Sequence, residues 1–223
     1  MPRVFYSSRH GGVSRNPFDS FNLGTHVGDE IESVRQNREI LRANLCLTSL
    51  AFMDQRHGAD ISVIAEPAQA NLIPDADALM TNQKGIGLAV MVADCVPLLL
   101  AAEGWVAAVH VGRVGLMSNI VESVLRKFYD LGDAARDAWI GPHICQECYE
   151  VDSNMYRELT ASRPLLATTD EKHCLNLKAP IVDVLVGQGV RVHDLSRCTV
   201  ETDDLFSYRR DGMTGRFAGV IAL

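Results

Sequence analysis

Residues 87–112 read GLAVMVADCVPLLLAAEGWVAAVHVG, and the apolar runs at the two ends of this stretch predict buried strands. Both runs are short, continuous and rich in branched residues, which is typical of strands that are covered on both faces. The first run leads into Cys95, and the second ends at His110. With a tight turn at Glu103 and Gly104 between the strands, the thiol and the imidazole would meet on one rim of a sheet.

A second histidine, His57, lies in the segment QRHG between the apolar stretches 50–53 and 61–64. One cysteine and two histidines would hold a tetrahedral zinc and leave its fourth position open for chemistry. Without a metal, an imidazole beside Cys95 would lower the pKa of the thiol and make it a nucleophile. A purely structural interpretation is also open, because a cysteine in an apolar strand is often an inert small hydrophobe.

The composition argues against two classes of protein, nucleic-acid-binding proteins and membrane proteins. The chain has 223 residues, 47% of them hydrophobic, which is enough to bury the core of one continuous domain over residues 1–223. A formal net charge of −7 argues against a nucleic-acid partner, because proteins that bind the phosphate backbone are normally basic. No apolar run approaches the roughly 18 residues of a membrane span, and a signal-peptide pattern is absent. We therefore expect a cytoplasmic protein with reduced cysteines and no membrane partner.

The periodicity of apolar residues predicts a helix at 29–45 that is capped by Asp29, and a second helix at 116–131 that stops at Gly132. The other predicted elements are helices at 152–160 and 179–187, strands at 138–140 and 218–221, and a strand-rich region from 50 to 110. Strands cluster without a strict strand–helix alternation. An α+β class with a mixed sheet is therefore favoured over a Rossmann fold.

Two polar features have both a functional and a structural interpretation. Cys145 and Cys148 have C-x-x-C spacing, but no second C-x-x-C accompanies them, so the pair is interpreted as incidental or as a weak metal site. Arginines in a glycine-containing C-terminal loop suit phosphate or carboxylate, and two glycine-rich N-terminal segments could complete the rim of such a site. The candidate anion-binding residues are Arg209, Arg210, Arg216, Ser8, Arg9 and His26. Surface salt bridges and turn formation are the alternative.

Ten segments form an ordered set over nearly the whole chain. They are SSRHGGVS (7–14), FNLGTHVGD (21–29), VRQNREIL (34–41), QRHG (55–58), ADALMT (76–81), ADCVP (93–97), AAVHVG (107–112), IGPHI (140–144), CYEV (148–151) and FSYRRDGMTGR (206–216). Together they resemble the laccase-domain family, whose members were first described as multicopper polyphenol oxidases and later as zinc-containing purine nucleoside phosphorylases. Any one of these motifs would be a weak signal, whereas the ordered set is highly specific.

The resemblance implies a fold, a metal and an activity. It implies a single-domain α/β/β/α sandwich in which His57, Cys95 and His110 hold a catalytic zinc, with copper as a possible substitute. The implied activities are phosphorolysis of adenosine, inosine, guanosine and methylthioadenosine, together with deamination of adenosine. The partners would then be purine nucleosides and phosphate, and we expect a monomer or a weak homodimer.

This chain departs from the family pattern after the second strand. The family usually reads HAGWRG, whereas residues 110–115 read HVGRVG, so that Arg113 replaces a tryptophan and Val114 replaces an arginine. The usual QVHG is also QRHG, with Arg56. If the missing arginine normally binds phosphate, the phosphorylase activity is weakened here unless Arg56 or Arg113 reaches the site instead.

Three other functions compete with the phosphorylase. The first is a Cys–His hydrolase or deamidase, in which Cys95 is the nucleophile and His110 the base. The second is a copper-dependent polyphenol oxidase, which is disfavoured because a multicopper site needs many histidines and the chain has seven in total. The third is a zinc-binding protein without catalytic activity, which the altered HVGRVG segment makes credible.

Overall fold

Ten strands, six α-helices and the short 3-10 helices Pro67–Asn71 and Pro164–Leu166 lie within residues 2–168 and 172–223, the parts of the chain that this computed structural model describes. The strands are β1 (Arg3–Tyr6), β2 (Ser49–Ala51), β3 (Ile61–Val63), β4 (Ala78–Thr81), β5 (Ile86–Val92), β6 (Val96–Ala101), β7 (Val106–Val111), β8 (Asp137–Ile140), β9 (Arg191–Asp194) and β10 (Phe217–Ala222). The helices are α1 (Ile31–Asn44), α2 (Arg113–Met117), α3 (Ile120–Asp130), α4 (Ser153–Ser162), α5 (Lys178–Gly187) and α6 (Tyr208–Asp211). None of these helices has the length and apolar character that crossing a membrane requires.

The strands form two mixed sheets. One sheet has four strands in the order β1-β10-β5-β2, and the other has six in the order β3-β4-β7-β6-β8-β9. Pairing is parallel for β2 with β5, β3 with β4, and β8 with β9, and antiparallel for the other neighbours. The predicted α+β class with mixed sheets is confirmed.

Three apolar cores separate four layers. Between the two sheets, Leu88 and Val90 of β5 lie in one buried cluster with Leu99 of β6. A second cluster joins the six-stranded sheet to helices α3 and α5 and includes the fully buried Phe128. A third joins the four-stranded sheet to α1 through Leu41. The order helix, sheet, sheet, helix is the α/β/β/α sandwich that the family resemblance implied.

The stretch 87–112 contributes to both sheets. Strand β5 belongs to the four-stranded sheet, whereas β6 and β7 are antiparallel neighbours in the six-stranded sheet, so the chain crosses between sheets at residues 93–95. The predicted turn after β6 is present and is closed by a 2.8 Å bond from the Ala102 N–H to the Trp105 carbonyl. The β6–β7 register pairs Pro97 with His110, which places Cys95 and His110 at the same end of the sheet.

Two predicted helices differ from the observed ones for local reasons. Helix α1 begins at Ile31 with Glu30 in the N-cap position. Asp29 does not cap it, because its carboxylate accepts from the Glu30 N–H at 2.8 Å and from the Asn22 side chain at 2.9 Å. The predicted helix at 116–131 is two helices, α2 and α3, separated where Asn119 has a φ of 60°. The other predicted helices and strands lie within two residues of the observed bounds.

Asn37 of α1 joins the N-terminal loops to the rest of the fold. Its side chain is fully buried and donates to the Ser14 hydroxyl at 2.9 Å and to the Asn22 carbonyl at 2.8 Å, while it accepts from the Val13 N–H at 2.9 Å. The Asn22 side chain in turn accepts from the Arg216 N–H at 2.8 Å. The loops at both ends of the chain are thereby fixed beside one another.

Asn37→Ala is expected to lower the free energy of unfolding by about 3 kcal/mol, because each buried polar group that loses its partner costs about 1–3 kcal/mol. Denaturant titration would measure the change. Asn44→Ala, at an exposed position of the same helix, is the matched control and should have little effect. Equal stabilities of the two variants would contradict the role given to Asn37.

Candidate metal centre and adjoining pocket

Three side chains from separate parts of the chain converge at one end of the six-stranded sheet. The potential ligand atoms of His57, Cys95 and His110 all lie within 4.8 Å of one another. The Cys95 Sγ is 3.9 Å from the His57 Nε2, and the two imidazole rings are nearly perpendicular with their centroids 4.6 Å apart. His110 is buried and His57 is exposed, so the cluster opens to one side.

A carboxylate that sequence reasoning missed organises this cluster. Asp77, immediately before β4, accepts from the His110 ring at Nδ1 across 2.7 Å. The same carboxylate accepts from the backbone N–H groups of Arg56, His57 and Gly58 at 3.2, 2.9 and 2.6 Å. Since an ionised carboxylate only accepts, His110 carries a proton on Nδ1 and turns its Nε2 towards Cys95.

The backbone at the cluster leaves little room for other residue types. Gly112 lies against it, because a Cβ there would be 2.8 Å from the His57 Cδ2 and 3.2 Å from the Cys95 Sγ. Asp94, just before Cys95, has a φ of 114°. Its carboxylate accepts from the hydroxyls of Thr199 and Ser207 at 2.6 and 2.7 Å, and these bonds stabilise the unusual conformation.

Even without a metal, the cluster shifts the pKa values of Cys95 and His110 so that opposite charges on them are favoured. Burial alone would raise the pKa of the Cys95 thiol, but the neighbouring His110 and His57 outweigh burial and lower it to about 6. Burial alone would lower the pKa of His110, but Cys95 and Asp77 outweigh it and raise it to about 9. A thiolate–imidazolium pair is therefore favoured between these two values.

The donor set fits a zinc ion. Zn–S and Zn–N bonds of about 2.3 and 2.0 Å at tetrahedral angles place sulfur and nitrogen about 3.5 Å apart, close to the 3.9 Å between Cys95 and His57. The Asp77–His110 bond is the outer contact that usually orients a ligating histidine. Three protein donors leave a fourth position open. Imidazole and thiolate also suit copper.

A cavity of about 420 Å³ adjoins the cluster. Its volume is within the range of small-molecule sites. The residues that line it are His26, Gln55, His57, Met91, Val92, Ala93, Asp94, Cys95, His110, Ile144, Tyr149, Tyr208, Arg209 and Arg216. The cavity therefore combines the three donors with two arginines, two tyrosines and several apolar side chains.

Three of the six predicted anion-binding residues line this cavity. Arg209 lies 5.3 Å from the centroid of the Tyr149 ring and donates from Nη1 to the Glu150 carbonyl at 2.8 Å. Arg216 is half-buried, and burial lowers the pKa of its guanidinium. Burial and the charge of Arg216 also lower the pKa of His26, which favours the neutral imidazole.

The other three predicted residues have contacts elsewhere. The Arg210 guanidinium donates to the carbonyls of Thr199 and Leu205, each at 2.8 Å, and pairs with Asp211. Arg9 lies 3.5 Å from the Asp19 carboxylate and over the Phe206 ring. The Ser8 hydroxyl accepts from the His10 N–H at 3.2 Å. None of these three side chains lines the cavity.

The residues that distinguish this chain from the family pattern lie outside the cavity lining. Arg56 forms ion pairs with Asp54 and Asp75 at 2.6 and 3.3 Å. Arg113, at the start of α2, lies beside the Tyr149 phenol, which is part of the cavity wall. Val114 is 45% exposed.

Gln55 is a second residue that the sequence did not reveal. Its amide donates to the Met91 carbonyl at 2.7 Å and accepts from the Met91 N–H at 2.8 Å. This paired contact holds the loop that carries His57 against β5.

The segment PDADA around Asp77 offers two carboxylates, and its pattern does not distinguish Asp77 from the exposed Asp75.

Asp77→Asn is expected to weaken zinc binding about 10–100-fold, because an amide is a poorer partner for the His110 ring and for three N–H groups. Competition with a chromophoric chelator measures this affinity. Asp75→Asn is the control. It removes a nearby carboxylate that forms an ion pair with the exposed Arg56 side chain. Equal affinities in the two variants would contradict the positioning role of Asp77.

In metal-free protein, alkylation of Cys95 should rise with pH around a midpoint near 6, because the thiolate is the reactive form and it persists above its lowered pKa. Peptide-level mass spectrometry after iodoacetamide treatment would give the profile. In His110→Ala the midpoint should shift upwards, since the main source of positive charge is lost. A midpoint that stays the same in that variant would show that His110 does not activate the thiol.

Known proteins are similar to this chain over nearly its full length. The family model described as multi-copper polyphenol oxidoreductase laccase matches residues 3–223. A purine nucleoside phosphorylase of Corynebacterium glutamicum is 41% identical over 99% of this chain and 94% of its own length. One from Streptomyces coelicolor is 39% identical over 98% of this chain and 94% of its own length.

Solved structures give the same result. A protein of Neisseria meningitidis superposes with a TM-score of 0.87 at 33% identity and covers 100% of this chain and 94% of its own. A hypothetical protein of Bacillus licheniformis gives a TM-score of 0.89 at 29% identity, with 100% and 92% covered. The chain therefore belongs to the laccase-like family whose model is described as multi-copper polyphenol oxidoreductase laccase.

Proposed function

We propose that this protein is a zinc-dependent purine nucleoside phosphorylase that acts on adenosine, inosine, guanosine and methylthioadenosine and also deaminates adenosine. The observation that carries the proposal is the three-donor centre at His57, Cys95 and His110, which opens into a cavity with two arginines. Relatives that are 36–41% identical are named purine nucleoside phosphorylases, which supports the phosphorylase part of the proposal.

Phosphate binding is assigned to Arg209 and Arg216. Both guanidinium groups line the cavity that contains Cys95, and they supply the positive charge that a phosphate dianion requires. The contacts of Arg209 with the carbonyls of Glu150 and Cys148 involve one of its three nitrogens, Nη1. The remaining nitrogens have the fork geometry that suits a phosphate oxygen pair.

The nucleoside is assigned to the apolar and aromatic side of the cavity. Met91, Ile144, Tyr149 and Tyr208 provide faces against which a purine ring can stack. His26 supplies a hydrogen-bonding group for the ribose or the base, and it does so as a neutral imidazole because burial lowers its pKa. Phosphorolysis then forms a bond from a phosphate oxygen to the anomeric carbon as the glycosidic C–N bond breaks, and the purine leaves with the bonding electron pair and takes up a proton.

The zinc ion is assigned to the three donors of the candidate metal centre. When bound, zinc would supply Lewis acidity at an open coordination position beside the substrate. His57, Cys95 and His110 would hold it, while Asp77 fixes the tautomer of His110 and the position of the loop that carries His57. Deamination of adenosine is assigned to the same centre.

The direct test is a product assay with zinc-loaded protein, each of the four nucleosides, and phosphate. Phosphate-dependent release of the free base with a pentose 1-phosphate supports the proposal, and ammonia released from adenosine supports the deaminase activity. Free base that forms equally well without phosphate, or products of either reaction that form equally well after removal of zinc, would contradict it.

A second candidate is a metal-free thiol hydrolase or deamidase. It is favoured by one observation, the arrangement of Cys95, His110 and Asp77 as nucleophile, base and orienting carboxylate. The two candidates differ in their response to zinc. Zinc would inactivate the thiol enzyme by occupying Cys95, whereas the phosphorylase requires it.

Arg209→Ala is expected to raise the KM for phosphate about 10–100-fold, since a charge-assisted hydrogen bond contributes about 1.5–3 kcal/mol and each 1.36 kcal/mol is tenfold. Zinc content should not change. Arg136→Ala, which removes an exposed arginine paired with Glu103 on another surface, is the control. An unaltered phosphate KM in Arg209→Ala would assign phosphate to a different part of the cavity.

The departure at residues 113 and 114 is proposed to weaken phosphorolysis. The double substitution Arg113→Trp with Val114→Arg restores the family pattern, and kcat/KM for adenosine or inosine should rise about tenfold if the arginine contacts phosphate. The exposure of Val114 gives the longer side chain room, so Val114→Arg alone is not expected to lower the melting temperature. A folded double variant with unchanged kinetics would refute this explanation.

A further inference from the structure

A second cluster of metal-ligand side chains lies on the other side of the cavity wall. The sulfur atoms of Cys145, Cys148 and Cys198 and a carboxylate oxygen of Glu201 all lie within 4.8 Å of one another. The Cys148 Sγ is 3.7 Å from the Glu201 Oε1. All three cysteines are half-buried and carry free thiols, and Glu201 is exposed.

The backbone brings two distant segments together at this cluster. Residues 145–149 form a tight turn, in which the N–H groups of Cys148 and Tyr149 donate to the Cys145 carbonyl at 3.2 and 3.1 Å. A β-bridge joins His143 to Cys198, with bonds of 3.0 Å from the His143 N–H to the Arg197 carbonyl and 3.1 Å from the Thr199 N–H to the His143 carbonyl. The four side chains are therefore fixed by main-chain contacts on both segments.

The sequence holds a pattern that explains this convergence. Residues 145–148 have the form C-x-x-C, and residues 198–201 have the form C-x-x-E. Two such pairs on neighbouring turns are the arrangement of a zinc knuckle, with a carboxylate in place of one thiolate. The interpretation of Cys145 and Cys148 as incidental rested on the lack of a second C-x-x-C, and a search that admitted carboxylates would have found the partner pair.

We propose that Cys145, Cys148, Cys198 and Glu201 bind a second zinc ion that is structural. Four protein donors fill a tetrahedral shell and leave no open position, unlike the three-donor centre at Cys95. A disulfide accounts for the cluster less well, because it would use two of the three thiols and would leave the third thiol and the carboxylate without a role. This inference does not depend on the proposed function.

The second site shares its chain segments with the cavity. Ile144 and Tyr149 flank the turn that carries Cys145 and Cys148, and both line the cavity. Thr199, next to Cys198, donates to the Asp94 carboxylate beside Cys95. Residues 141–152 and 195–207 contain no helix or strand in the described structure, so a metal cross-link between them would hold this wall of the cavity in place.

Metal analysis tests the proposal. Zinc-loaded protein should hold two zinc ions per chain, Cys95→Ala should keep one, and Cys145→Ser or Cys198→Ser should also keep one, while Cys95→Ala with Cys198→Ser should lose both. Cys46→Ser removes an exposed free thiol elsewhere and should keep both ions. If the proposed function is wrong, only the ion that Cys95→Ala removes is affected. The ion at Cys145, Cys148, Cys198 and Glu201 should still be bound.

Cobalt substitution identifies the ligands, since the thiolate-to-cobalt charge-transfer absorption grows with the number of thiolates. Cobalt-loaded Cys95→Ala should show the spectrum of three thiolates, and the added substitution Cys148→Ser should abolish that spectrum. Chelation of this metal should lower the melting temperature of Cys95→Ala. One zinc per chain that disappears in Cys95→Ala would overturn the proposal, and so would a Cys145–Cys148 disulfide in protein purified with reductant and zinc.

Discussion

The Asp77 carboxylate is the interaction on which the candidate site depends, because it binds both parts of the structure that carry histidines. It holds the His110 ring of β7 by one oxygen and the N–H groups of the loop 56–58 by both. Asp77 is 1% exposed, and a buried carboxylate with several donors costs far less to keep ionised than one without them. A single side chain therefore sets the positions of two of the three donors.

The third donor is positioned by the passage of the chain from one sheet to the other. Residues 93–95 connect β5 in the four-stranded sheet to β6 in the six-stranded sheet, and this short connection puts Asp94 in a rarely populated conformation. Hydroxyl donors from Thr199 and Ser207 stabilise Asp94. Because Gly112 has no side chain, the Cys95 thiol has space beside His57 and His110. The site is thus a consequence of how the two sheets are joined.

Much of this could be predicted from the sequence. The apolar runs in 87–112 indicate buried strands, and the spacing of Cys95 and His110 across a turn places them together, because a hairpin has few possible registers. The split between α2 and α3 could not be predicted, since Leu116 and Ile120 continue one apolar face across the break at Asn119. The partners of single polar residues depend on tertiary contacts that no local pattern encodes.

We expect the three donors to hold a zinc ion that faces the cavity. A crystal structure of zinc-loaded protein grown with phosphate, with diffraction data collected at the zinc absorption edge, would locate this ion. The expected result is an anomalous peak about 2.0–2.3 Å from His57, Cys95 and His110, with phosphate density near Arg209 and Arg216. A structure with no anomalous peak at these residues and with Cys95 paired only to His110 would rule out a zinc ion on the three donors.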